Sequence, residues 1–235
     1  MTSPTRSQLI LPLFDVFVFI DWFGTLSTAR FWEDITDNRK HPLSAPLRTS
    51  LEVLFTKNRE FVRAWMRGSV SEEEVIESLK LRLPRTYRDD YLCRALLRTC
   101  RNAAIDPEMA KLTRALRRHA FVAVASDNMD CFVKATPAVL SGVVQVDELI
   151  VSSEVGALKA EDPDSFFGPV LERYSLDRRN AILIDDSIET CERFIEWGGY
   201  AIHYTDVDTL RDRLTSHWPG RQALLPHEPK LLRDE

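Results

Sequence analysis

Cysteine is scarce in this chain and never paired along it, which excludes two kinds of site at once. Cys93, Cys100, Cys131 and Cys191 form no CxxC pair. Scattered through apolar patterns, they read as free thiols in a reducing cytoplasm, not as a disulfide framework or a zinc site. A basic block is missing too. With 31 Lys and Arg against 36 Asp and Glu, the mildly acidic balance shows no electrostatic footprint for nucleic acid. Nor is there a long hydrophobic run. The apolar stretch from Leu9 to Ile20 contains Pro12 and Asp15 and is too short to span a bilayer, so a buried strand is expected there, with no membrane span or signal peptide. No internal repeat is visible. The chain has 235 residues, 44% of them hydrophobic. That suffices for one large domain or a core with a smaller insert.

Strand and helix signals alternate, with one interruption. Phe14 to Asp21 is dense in β-branched and aromatic residues and short enough for a buried parallel strand. From 27 to 105 strand signals vanish. "LRTSLEVLFTKNREFVRAWMRG", "SVSEEEVIESLKLRL" and "TYRDDYLCRALLRTCRNAA" carry apolar residues at helical spacing, and Ser71 with Glu74 predicts a capping box. Strand signals return at 120–126, 148–153, 181–186 and 200–204, separated by helical stretches such as "DSFFGPVLERYSL" and "SIETCERFIEWGG". This alternation predicts an α/β fold, a Rossmann-like doubly wound parallel sheet. Its core comprises 9–26 and 106–218, an inserted all-α domain spans 27–105, and 219–235 form a Pro-rich, charged tail expected to be loosely held.

In such sheets ligands collect beyond the carboxyl ends of the strands. Asp21 ends the first strand, Ser126 the second, and Asp185 and Asp186 the fourth; Lys159 follows the third at the start of an expected helix. An acid, a hydroxyl, a lysine and a carboxylate pair around one crevice suit a phosphate and a divalent cation, and oxygen-rich sites of this kind favour magnesium. Singly, each residue has an ordinary structural reading. Asp21 could form a turn, Ser126 or Asp127 could cap a helix, and Lys159 could be solvated. The acids at 185 and 186, however, end the apolar run "AILI", where an unpaired charge is expensive. Asp15 and Asp147 read as structural, Arg67 as part of a solvated helix face, and the five histidines carry no pattern.

Four segments, in order, resemble the motifs of the haloacid dehalogenase superfamily: "DWFGTL", "VASDN", "SSEVGALKAEDPDSF" and "AILIDDSIET". The resemblance covers nearly the whole chain. It implies that Asp21 is a nucleophile and that Ser126 and Lys159 hold a transferring phosphoryl group. Thr25, Asp127 and Asn128, in the first two motifs, are candidate substrate contacts. It further implies that magnesium is held by Asp21, the backbone carbonyl of Phe23 and Asp186, with Asp185 beside it or one water away. The insert falls where the family's helical cap falls, and the implied substrate is a small molecule, a phosphate ester.

One position departs from the family's pattern. Phosphatases of the superfamily usually have a second Asp where this chain has Phe23, and that Asp acts as general acid and base. Phe cannot transfer a proton. Three readings therefore follow. The first is a magnesium-dependent phosphatase or phosphotransferase with its acid supplied from elsewhere, Asp127 being one candidate. The second is a dehalogenase-like or phosphonatase-like hydrolase. Haloacid dehalogenases place an aromatic at this position but lack the acidic pair, and phosphonate-cleaving relatives lack the second Asp but need a cap lysine. The third is a binding or regulatory protein that kept the fold. The insert carries no diagnostic motif that would name a substrate.

Overall fold

The computed structural model describes residues 14–136, 140, 142–216 and 224–225. Five parallel strands form one sheet: β1 (Phe17–Ile20), β2 (Phe121–Ser126), β3 (Glu148–Val151), β4 (Ala181–Asp185) and β5 (Tyr200–His203), in the order β3-β2-β1-β4-β5. The start of the apolar run at Leu9 lies outside the described residues. β1 is central and buried on both faces, which explains why its sequence is continuously apolar instead of alternating. Phe17 and Phe19 point into one core layer with Phe166, Phe167, Leu171 and Phe194. Val18 and Ile20 point into the other, with Met109, Leu112, Leu116 and Leu210.

Helices Pro163–Arg173 and Ile188–Trp197 cover the first face; Pro107–Leu116 and Val207–Thr215 cover the second. Side-chain oxygens cap all four, from Asp162, Ser187, Asp106 and Asp206. Among the described residues no helix is long and apolar enough to cross a membrane.

Between β1 and β2 the chain makes the helical insertion: Glu33–Thr36, Ser44–Lys57, Arg59–Met66, Glu72–Ser78 and Tyr91–Arg101. The stretch that reads as one long helix in sequence breaks at Asn58, whose backbone (φ −112, ψ 43) is not helical. The Ser71–Glu74 capping box forms as expected. The insertion has a core of its own, built on Trp32, Leu47, Trp65, Val75 and Leu96, which also takes in Met129 and Cys131 of the segment after β2. Its two crossings to the sheet lie side by side. Ser27 Oγ donates to the Ala104 carbonyl at 2.7 Å, and the Asp106 N–H donates to the Leu26 carbonyl at 2.9 Å.

Three details differ from expectation. β3 stops at Val151 and Ser152–Val155 is a short helix. Lys159 lies in the turn before helix Pro163–Arg173, not at its start. Within the expected loose tail, Leu224 and Leu225 donate backbone hydrogen bonds to the Leu214 carbonyl, and Leu225 is buried in the core because an apolar pair finds open hydrophobic surface there. The rest of 219–235 lies outside the described residues.

Candidate active site

The strand order turns at β1: β2 and β3 are added on one side, β4 and β5 on the other. A crevice opens at such a switch point beyond the carboxyl ends of β1 and β4. Register brings its two acids together. Ile20 pairs with Ile184, so the next residues, Asp21 and Asp185, stand side by side, and the Asp21 N–H extends the ladder to the Ile184 carbonyl at 2.8 Å.

Lys159 closes the gap between them. Its Nζ donates to Asp21 Oδ1 at 2.5 Å and to Asp185 Oδ2 at 2.6 Å. Lys159, Asp21 and Asp185 are only 4%, 6% and 1% exposed. Two further hydrogen bonds fix this arrangement: the Ser187 N–H donates to Asp185 Oδ1, and the Lys159 N–H donates to Asp127 Oδ1 at 3.0 Å. Asp127 is therefore not the cap of the next helix. It is drawn instead to the backbone of the lysine turn.

Asp186 approaches from the other side. Gly24, whose φ of +88° favours glycine, lets Asp186 Oδ2 come within 2.1 Å of where a Cβ would stand, so a side chain there would push the Asp186 carboxylate aside. Asp21, Asp185 and Asp186 each offer a carboxylate oxygen within 4.8 Å of the others. Burial pushes the Asp21 carboxyl up to about 7; Lys159 opposes the shift, while Asp185 and Asp186 add to it. Burial and Asp185 also raise Asp186. Burial works against the charge on Lys159, but Asp21 and Asp185 outweigh it and hold the ammonium above its ordinary value. One ammonium facing three carboxylates leaves the cluster short of positive charge. An all-oxygen donor set in that condition fits a hard divalent cation, which would pull the carboxylates back toward their ionised forms.

The other expected residues lie around this cluster. Ser126 is buried, and its Oγ accepts from Asn128 Nδ2 at 3.4 Å. The buried Thr25 hydroxyl has no hydrogen-bond partner among the described residues, a situation that costs about 1–3 kcal/mol and that a ligand oxygen would relieve. Phe23 is 51% exposed and lines a cavity of about 640 Å³ between sheet and insertion, together with Asp127, Asn128 and insertion residues such as Phe31, Phe55 and Met66.

Sequence reasoning missed the residues that hold the insertion against the crevice. Ser152 is fully buried; its Oγ accepts from the Asn128 N–H and donates to the Met66 carbonyl at 2.7 Å. Gly68, with φ +72°, packs so closely on Ser153 that a Cβ would lie 2.3 Å from its carbonyl oxygen. Arg67, expected on a solvated face, is paired with Glu60 and, across to the lysine turn, with Glu161. Only the glycine in "WMRG" was a usable signal, because serine and arginine are too common to mark contacts. Asp147 is structural, as expected: it accepts from Arg117 and from the Val122 N–H.

No protein-family model and no curated protein matches the chain. Solved structures do. A predicted HAD-like family hydrolase from Porphyromonas gingivalis superposes with a TM-score of 0.62 at 14% identity, covering 86% of this chain and 98% of that one. A HAD family enzyme from Bacteroides thetaiotaomicron, in complex with magnesium and inorganic phosphate, gives 0.56 at 18% identity, over 83% and 98%. The L-2-haloacid dehalogenase from Xanthobacter autotrophicus, with chloropropionic acid covalently bound, gives 0.58 at 15% identity, over 86% and 83%. The sheet order, the insertion and these likenesses agree: the chain has the fold of the haloacid dehalogenase family.

Proposed function

We propose that the protein is a magnesium-dependent phosphatase or phosphotransferase that acts through an aspartyl phosphate at Asp21. The observation that carries this reading is the oxygen cluster at the switch point, buried Asp21 and Asp185 with exposed Asp186 beside them, and the Lys159 ammonium between the first two. Asp21, Asp186, the Phe23 carbonyl and Asp185 would hold the magnesium. When bound, the ion supplies positive charge against the phosphoryl oxygens.

The chain's own residues account for the remaining steps. Lys159 holds one carboxylate oxygen of Asp21 and leaves the other to attack phosphorus. The bond from phosphorus to the leaving oxygen breaks with its electron pair, and an aspartyl phosphate forms. Water then attacks phosphorus, the bond from phosphorus to the Asp21 oxygen breaks with its electron pair on the carboxylate, and the water's proton leaves with the phosphate. The hydroxyls of Thr25 and Ser126, the Asn128 amide and Lys159 donate to the phosphoryl oxygens. Asp127 positions the lysine turn. The insertion, 27–105, acts as a cap over a core of 9–26 and 106–218. Four free cysteines suit the reducing cytoplasm in which we place the protein.

Phe23 favours a second reading, hydrolysis at carbon as in a dehalogenase, since an aromatic replaces the acid there. The paired acids at 185 and 186 count against it. Turnover of phenyl phosphate, acetyl phosphate and 2-chloropropionate, each with magnesium or with chelator, separates the two. The expected result is magnesium-dependent phosphate release that Asp21→Asn abolishes. Metal-independent chloride release would establish the second reading. No turnover alongside retained vanadate binding would leave a protein whose work is binding.

A further inference from the structure

Two features of the cavity beside Asp21 bear on what the leaving group is. The first is its lining. Trp22, Phe23, Phe31, Phe55, Met66 and Phe132 contribute rings and a thioether. The arginines on its wall are engaged: Arg30 pairs with Asp37 at 2.9 Å, and Arg48 donates to the Thr36 carbonyl at 2.6 Å. Polar groups share the wall, among them Glu52, Asn128 and Thr136, but apolar side chains make up most of the surface it presents, and over that part an aromatic body would exchange water for ring contacts. The cavity's 640 Å³ is within the range, roughly 300–1,000 Å³, of sites that enclose a whole organic ligand.

The second feature is Phe23. It follows the attacking residue by two positions and opens onto this same cavity, so a ring stands on the leaving-group side where a proton donor would serve. A leaving oxygen that departs there must carry its own negative charge. An alkoxide cannot do so at neutral pH, but a phenoxide can, because the ring delocalises the charge.

We infer that the substrate is an aryl phosphate monoester, its ring seated in the cavity under the insertion and its phosphate at Asp21. This inference rests on the phosphohydrolase reading. In the step it requires, Asp21 forms a bond to phosphorus while the phosphorus–aryl oxygen bond breaks. The electron pair leaves on the aryloxide, which takes its proton from water after departure.

The test uses the full chain with magnesium and four substrates: 2-naphthyl phosphate, phenyl phosphate, 2-naphthylmethyl phosphate and acetyl phosphate. The naphthylmethyl ester has the body without the activated oxygen; acetyl phosphate has the activated oxygen without the body. The naphthyl ester should exceed the naphthylmethyl ester in kcat/KM by on the order of 10²-fold or more. It should exceed acetyl phosphate in apparent affinity by about tenfold or more, from burial of the rings. Phe55→Asp should cut the naphthyl-over-acetyl preference about tenfold. As a readout without turnover, calorimetry should show 2-naphthylphosphonate binding more tightly than methylphosphonate. Equal kcat/KM for the naphthyl and naphthylmethyl esters, or equal binding of the two phosphonates, would overturn the inference while leaving the phosphohydrolase reading intact. If acetyl phosphate is not hydrolysed and neither phosphonate binds, both fall together.

Discussion

The crevice at the end of β1 and β4 and the cavity beside it are neighbours built on opposite principles. In the crevice, Asp21, Asp185 and Lys159 are almost fully removed from water and hold one another in place. A few ångströms of chain away, Phe23 and the insertion present rings to a large space whose wall is mostly apolar, with Asp127 at its edge held by the Lys159 N–H. The contrast concerns what each region tolerates. A buried ion cluster is cooperative, since removing one member leaves the others charged and unpaired. Of the rings around the cavity, Trp22 and Phe132 pack edge to face within the core, but Phe23 and Phe55 are exposed, and a change at those two alters fit before it alters folding. Chemistry is thus expected to be rigidly specified in the crevice, and selectivity to be adjustable in the cavity.

The hardest way to break that contrast is at Asp21. Asp21→Asn keeps the shape and removes the nucleophile, so phosphate release should fall on the order of 10⁴-fold or more, and the 80-dalton mass increment on Asp21 should disappear from quenched digests. Turnover retained within tenfold would remove Asp21 from the mechanism. Next in size is Phe23→Asp, which adds crevice chemistry to the cavity wall. Alkyl phosphates should gain on the order of 10²- to 10⁴-fold in turnover, and aryl phosphates much less. A uniform gain, or none, in a variant that folds and binds magnesium as wild type does would show that no acid is missing.

Lys159→Met sharpens the comparison through stability. It leaves Asp21 and Asp185 facing each other in a buried site, which should cost about 3–5 kcal/mol, and magnesium should recover part of the loss in a thermal melt. An unchanged melting temperature without metal would mean that the crevice is more solvated than its burial indicates.

The smallest effect lies where the insertion meets the segment after β2. Burial pushes the Asp130 carboxyl up, but hydrogen bonds from Trp65 Nε1 and the Lys134 ammonium outweigh it and hold it below the ordinary carboxylate value of 3.8. A carboxylate lowered in the folded state contributes stability above its unfolded value, and that contribution is lost as the pH falls through the folded value. Melting temperature should therefore drop more steeply with acid below pH 4 in wild type than in Asp130→Asn, by less than about 1 kcal/mol for so partly solvated a group. Parallel acid limbs would show that the contact contributes nothing.

Much of the sheet was legible because its strands are buried on both faces, which forces short, continuous apolar runs such as "FVFI" and "AILID". Their ends were legible too, since an acid directly after such a run, Asp21 after the first and Asp185 with Asp186 after the fourth, is conspicuous. The break at Asn58 was not. Apolar spacing continues through it, and only packing against the rest of the insertion decides that the helix bends there.

Local sequence thus determined which segments are strands, where a helical insertion interrupts them, and which polar residues stand at the strand ends. These properties depend on neighbours a few positions away. Tertiary structure alone decided that Lys159 reaches Asp21 across 138 positions of chain, that Gly24 makes room for Asp186, and that Trp22, Phe31, Phe55, Met66 and Phe132 surround one space. Contacts between distant residues leave no period in the sequence, because the sheet's strand order and the seating of the insertion set them, and both follow from burial summed over the whole chain.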